Sequence, residues 1–226
     1  MRPVALAYKL KGTDGSPLGM IQAYTQTTYE SCLACCLLQG VDRTIPITIT
    51  RQDEFECLLY SLRFSKEDFV LGHLEFVAQR FNMNTTRFVE GNGLYRRVRE
   101  MECSALIETR QADIDAQLLE DLVERAPVIT YLDAFHLFGC YHFPHFVTVL
   151  RRHRNAYVIF DTWDGFEKRV TANRLWAAID SLRTHLRFSP QLVLVGDEIR
   201  RNPHIRGELP TRPDNRHIIS NDSQSY

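Results

Sequence analysis

At Pro127 the hydrophobic pattern of the chain changes period, and this change restricts the available folds more than any other feature. Before it, apolar residues recur at helical spacing: Phe55, Leu58, Leu59 and Leu62 follow Asp53-Glu54, and Phe69, Leu74, Val77, Ala78 and Phe81 follow Ser65-Lys66-Glu67-Asp68. The first acidic pair suits the positive end of a helix, and the later tetrad reads as a capping box that starts a second helix at Ser65. A third amphipathic helix is expected over residues 111–125, with Ile114, Leu118, Leu119, Leu122 and Val123 on one face and Pro127 as its stop. Four β-type runs come next: residues 128–132, 146–150, 156–160 and 192–195. The expectation is an α+β fold in which a helical first half packs on an antiparallel sheet from the second half.

Weaker signals fill in the plan. Residues 4–10 and 18–25 read as a hairpin or loosely attached strands, Thr85 to Val89 as a strand, and Ile45 to Ile49 as either a small strand or a loop. Thr171 is placed to cap a helix carrying Leu175, Trp176, Ile179 and Leu182. A single domain over residues 1–199 is expected, followed by a flexible tail over 200–226 where apolar content falls away.

With 226 residues, 44% hydrophobic and 24% charged, the chain has the composition of a soluble globular protein. A net charge of −1 gives no sign of a nucleic-acid binder, and the basic run Arg151-Arg152-His153-Arg154 reads as a solvated turn. No window approaches the roughly eighteen apolar residues of a membrane span. The N-terminal apolar stretch is too short and interrupted for a signal peptide, so the cytoplasm is the expected compartment. The six cysteines are read as thiols rather than as a disulfide scaffold, with Cys57 and Cys103 as buried small side chains and Cys35 and Cys36 either in the core or with one of them lining the site.

The chemistry is concentrated in two stretches. Residues 26–32 read Gln-Thr-Thr-Tyr-Glu-Ser-Cys and run straight into the apolar sequence Leu33-Ala34-Cys35-Cys36-Leu37-Leu38. A helix is expected from Ser31 to about Gln39, capped by the Ser31 hydroxyl and ended by Gly40. Cys32 then falls in the first turn, where free N–H groups and the helix dipole favour a thiolate. His145 stands after Pro144 at the mouth of a strand, and Asp161 ends the next one. If the two strands are antiparallel neighbours joined near residues 152–155, imidazole and carboxylate touch, fixing the tautomer and favouring the cation. Cys32, His145 and Asp161 are the candidate catalytic residues. Gln26, six residues before Cys32, is the candidate oxyanion donor together with the Cys32 backbone N–H.

These residues resemble the papain-like cysteine peptidases of the bacteriocin-processing type. The resemblance covers about residues 20–196 and rests on four features. A Gln stands six residues before the Cys at a helix start, as Gln26 and Cys32 do. A helix leads through Pro127 into a strand, with His145-Phe146-Val147-Thr148-Val149 beyond it. A further strand ends in Asp161-Thr162-Trp163-Asp164-Gly165, and a later helix carries Trp176. The resemblance implies a papain-like fold and acyl-transfer machinery. Two positions depart from the family: Leu33 stands where a Gly usually follows the Cys, and Thr162 where a Pro usually follows the Asp. The leader-peptide substrate and transporter partner of the processing members are not carried over.

The function expected is cleavage of a peptide or amide bond through a Cys32 thioester, with no cofactor and no metal. Transfer of the acyl group to an amine, as in an acyltransferase or transglutaminase-like enzyme, is the first alternative. The second is an inactive papain-like peptide-binding module, which Leu33 motivates by narrowing the cleft or altering the start of the helix. The aromatic, histidine-rich loop is expected to overhang the cleft, with Phe138, Tyr141, His142 and Trp163 contacting substrate. The partner expected is a peptide or a small acyl or amide compound, carrier and precursor peptides included. A rival zinc site would draw on His136, His142, His145 and Cys140, although their spacing fits no structural zinc pattern.

Overall fold

A computed structural model describes residues 7–11, 17–22, 24–64 and 68–196. The expected tail over 200–226 and the capping-box residues 65–67 lie outside the described residues. The chain opens with the hairpin β1 (Ala7–Lys11) and β2 (Pro17–Gln22), then three helices, α1 (Cys32–Thr44), α2 (Arg51–Phe64) and α3 (Phe69–Phe81). Strand β3 (Thr85–Val89), helix α4 (Asn92–Glu100), strand β4 (Ile107–Gln111) and helix α5 (Ala116–Val123) follow. Beyond Pro127 come β5 (Val128–Asp133), the single turn α6 (Phe135–Phe138), β6 (Pro144–His153), β7 (Ala156–Asp161), β8 (Phe166–Thr171), α7 (Ala172–Thr184) and β9 (Gln191–Val195).

Seven strands form one sheet in the order β4-β3-β9-β5-β6-β7-β8, antiparallel throughout except for the parallel β3–β4 pair. The fold is therefore mixed α+β, with helices packed on a multi-stranded sheet. Alternation along the strands gives the sheet two apolar faces. Ile129, Tyr131, Phe146, Val193 and Val195 join α1, α2 and α3 in one core, whereas Val128, Leu132, Val147, Val149, Leu192 and Leu194 join α5 and α7 in a second. Among the described residues no helix is long and apolar enough to cross a membrane.

Several expectations are corrected here. The sheet does not come from the second half alone, because β3 and β4 extend it at one edge. Strand β4 escapes the sequence pattern because Ile107 is its one buried residue. Helix α4 begins at Asn92, where the glycines at 91 and 93 suggested a turn closing β3, and continues through residues 94–100, for which the sequence carried no expectation. The third amphipathic helix is shorter than residues 111–125: Asp115 caps it by accepting the Leu118 N–H at 2.8 Å, and Gln111 belongs to β4. Helix α3 is capped by Asp68, which accepts from the N–H groups of Val70 and Leu71 at 3.0 and 3.2 Å. On α2 the buried face runs through Glu54, Cys57 and Ser61, so Leu59 and Leu62 are 56% and 62% exposed. Cys103 is exposed rather than buried. Residues 45–49 form a loop, in which the Ile47 N–H meets Asp42 at 3.0 Å.

Helix α1 runs through Gly40 instead of ending there. A Cβ at Gly40 would lie 2.8 Å from the Val195 Cβ, so glycine lets β9 pack directly against the helix backbone. The Ser31 hydroxyl makes no capping bond and donates instead towards Thr28 O and Glu54.

Behind α3, buried Arg87 donates from Nη1 to Asp68 Oδ2 at 2.6 Å and from Nε to Gln191 Oε1 at 2.8 Å. Removing the Asp68 carboxylate leaves that guanidinium buried without its partner and uncaps α3. Asp68→Ala is expected to cost about 3–5 kcal/mol of unfolding free energy in a denaturant titration. A loss below about 1 kcal/mol would mean that the pair contributes no more than an exposed one.

Candidate active site

Strands β6 and β7 form the hairpin expected from the sequence, with His153 paired to Ala156 across a turn at Arg154-Asn155. The Thr148–Phe160 pair brings Asp161, at the end of β7, within a diagonal step of His145, at the start of β6. His145 Nε2 and Asp161 Oδ1 are 2.9 Å apart, and both side chains are almost fully buried. That bond leaves Nδ1 as the ring atom free for another partner. Cys32, in the first turn of α1, lies within interaction range of the same ring. Cys32 is 9% exposed and His145 is 1% exposed, so both residues are buried.

The electrostatics follow from this packing. Burial works against the imidazolium, but the hydrogen bond to Asp161, the polar interaction with Cys32 and the charges of both outweigh it, and His145 is raised to about 9. Burial also works against the Asp161 carboxylate. His145, Lys168 and the Trp163 N–H more than compensate, bringing Asp161 down to about 2. Asp161 Oδ1 accepts the Trp163 N–H at 3.0 Å, and Oδ2 accepts Lys168 Nζ at 2.7 Å. Lys168 also reaches Asp164 at 2.7 Å and lies 4.2 Å from the centre of the Phe138 ring. The orienting carboxylate is thus fixed from three directions.

Gln26 is held on the same side. Its backbone N–H donates to Thr162 O at 2.8 Å, and its Oε1 accepts the Thr162 hydroxyl at 2.7 Å. Thr162, which stands where a Pro was expected from the resemblance, makes a clasp that a proline side chain cannot make. The Gln26 Nε2 donates to Thr28 O at 2.9 Å and, more weakly, to Tyr29 O at 3.3 Å. Donation to a bound oxyanion would take the place of the longer of these two bonds.

Aromatic rings enclose the imidazole. Phe143, Trp163 and Phe138 lie 5.8, 5.7 and 6.1 Å from the His145 ring, measured between centroids. Tyr29 extends this wall through Trp163 at 5.3 Å and Phe143 at 5.6 Å, and Tyr141 meets Phe143 at 5.0 Å. Tyr29, Tyr141 and Trp163 are exposed at the rim. Of the four residues expected to contact substrate, Phe138, Tyr141 and Trp163 stand in this wall, Phe138 also lying beneath Lys168. His142 belongs to a separate cluster: its Nδ1 is 2.6 Å from Asp133 Oδ2, and its ring stacks on Phe135 and His185.

The rival zinc arrangement does not assemble. His145 is committed to Asp161 and His142 to Asp133, and among the described residues no three His, Cys, Asp or Glu side chains converge as a metal site would require. Cys35 and Cys36 are fully buried, and burial pushes both thiols far up, so neither competes as a nucleophile. Leu33 is packed in the core with residues of α2 and α3.

Sequence reasoning missed Lys168, Thr162, Phe143 and Glu54. Lys168 carried no signal, because its strand alternates too weakly to be recognised. Thr162 was visible only as a departure from a pattern. Comparison with protein-family models and with curated proteins finds no match for the chain.

The His145 shift has a direction that can be checked. A value raised from 6.5 to about 9 stabilises the fold fully below 6.5, and that contribution is lost as pH rises through about 9. For Asp161, lowered from 3.8 to about 2, the contribution is present above 3.8 and lost as pH falls through about 2. Asp161→Asn removes the largest interaction favouring the imidazolium and leaves burial less opposed. Imidazole NMR titration of that variant should move His145 well below its wild-type value. An unchanged midpoint would show that the carboxylate does not hold the proton on the ring.

Proposed function

We propose that this chain is a papain-like, cysteine-dependent acyl-transfer enzyme that cleaves a peptide or amide bond through a thioester on Cys32. The observation that carries the reading is the buried His145–Asp161 pair at 2.9 Å, whose ring also interacts with Cys32. An imidazole kept charged at neutral pH, beside a sulfur on the first turn of a helix, is the arrangement that thiol acyl transfer needs.

Cys32 attacks the carbonyl carbon, and charge develops on the oxygen. The backbone N–H of Cys32 and the Gln26 amide stabilise that oxygen, an effect of roughly 3 kcal/mol per donor in well-characterised cases. His145 passes its proton to the departing amine, and the C–N bond breaks to leave the thioester. Water, deprotonated by the now neutral imidazole, then attacks the thioester and frees Cys32. Asp161 stays ionised throughout and keeps the ring in one orientation. The exposed aromatic rim of Tyr29, Tyr141 and Trp163 favours a peptide substrate, which offers apolar side chains alongside its scissile amide. Leu33 lies in the core, which argues against its narrowing a cleft and leaves its effect on the start of the helix to the alkylation test below. The six free thiols suit a cytoplasmic, reducing setting.

Alkylation tests the reading. Iodoacetamide at neutral pH should modify Cys32 well ahead of exposed Cys103, and His145→Ala should abolish that preference. Labelling of Cys32 no faster than that of Cys103 would reject the enzyme. With a cleavable peptide in hand, Cys32→Ala should lower turnover on the order of 10⁴-fold or more. Gln26→Ala should lower kcat by about 10²–10³-fold with KM little changed.

A further inference from the structure

We propose that Glu54 is a positioning residue for this site: it fixes the chain over residues 24–31 and thereby sets where the Gln26 amide donates. The proposal rests on the acyl-transfer reading and assigns a role to a residue that does not touch the reacting atoms.

Glu54 is on the inner face of α2 and is fully buried. Oε1 accepts the Thr27 N–H at 2.7 Å, the Thr28 N–H at 3.4 Å and the Ser31 hydroxyl. Oε2 accepts the Tyr24 hydroxyl at 2.7 Å and the Thr27 hydroxyl at 2.9 Å. All five donors are neutral and all lie in the segment that carries Gln26 and leads into Cys32. A carboxylate buried on neutral donors is a costly way to join two elements, since an apolar contact would do so without desolvating a charge. What it supplies is geometry, because only an ionised carboxylate accepts at every site and donates at none. The same chain is clasped from the opposite side by Thr162 through the backbone and side chain of Gln26. Gln26 is thus suspended between two fixed points, and its Nε2 rests on the carbonyls of Thr28 and Tyr29 within the segment that Glu54 orders.

Two probes separate this role from stability and from the reading beneath it. Alkylation by iodoacetamide builds no oxyanion, whereas acylation by p-nitrophenyl acetate passes through one. Glu54→Gln should alkylate at Cys32 within about twofold of wild type with the same pH profile, while acylation falls by about 10²-fold. Added to Gln26→Ala, Glu54→Gln should cost little more, because the two act through one donor. If Glu54→Gln does not fold, Thr27→Val removes one of the five bonds from the exposed side and should slow acylation alone by about fivefold. Normal acylation in the folded variants, equal losses with both probes, or full additivity with Gln26→Ala would overturn the proposal. Wild-type Cys32 alkylating no faster than Cys103 would instead refute the acyl-transfer reading on which it rests.

Discussion

An imidazolium almost without water around it is the constraint on which the rest of this structure depends. Burial alone would strip the proton from His145, and the ring keeps it because a buried carboxylate lies 2.9 Å away. That carboxylate would be costly to bury in its turn without Lys168 and the Trp163 N–H. Each charge is tolerable only because of the next, so the hairpin of β6 and β7, the turn after it and strand β8 have to be built together. The aromatic wall follows from the same requirement, since rings exclude water from the pair without adding polar groups that would need partners of their own.

The helical side of the site obeys a parallel rule. Helix α1 is apolar enough to sit against the sheet, and Gly40 lets it approach β9 closely. Its first turn is buried too, from Cys32 through Cys35, but the chain leading into that turn is polar. The polar segment before Cys32 is ordered instead by a buried carboxylate on α2 and by the Thr162 clasp from the sheet side. Gln26 is therefore held between two polar anchors.

Much of this was legible in the residues. The period change at Pro127, the four β-runs and the His145–Asp161 juxtaposition follow from alternation and from antiparallel pairing alone, which are local properties. The fold's edges were not legible. Strand β4 has one buried residue, and β8 has only Val170 buried and three charged residues in a row, so neither shows the pattern of a half-buried strand. Helix α2 misled for another reason: its leucines have helical spacing, yet the hydrogen bonds of Glu54 turn a different face inward. Thr162 and Glu54 are polar residues whose importance comes from partners distant in sequence, and no local window contains that information. His142 is near His145 in sequence, and its ring is held by Asp133 in a cluster with Phe135 and His185.

The most direct test of the central claim is a burst experiment with p-nitrophenyl acetate followed by intact-mass and peptide mapping. One equivalent of nitrophenolate should appear rapidly, with the acetyl group on Cys32 and neither event in His145→Ala. Slow release without a burst, with acetyl groups scattered over Cys103 and Cys140, would contradict the account.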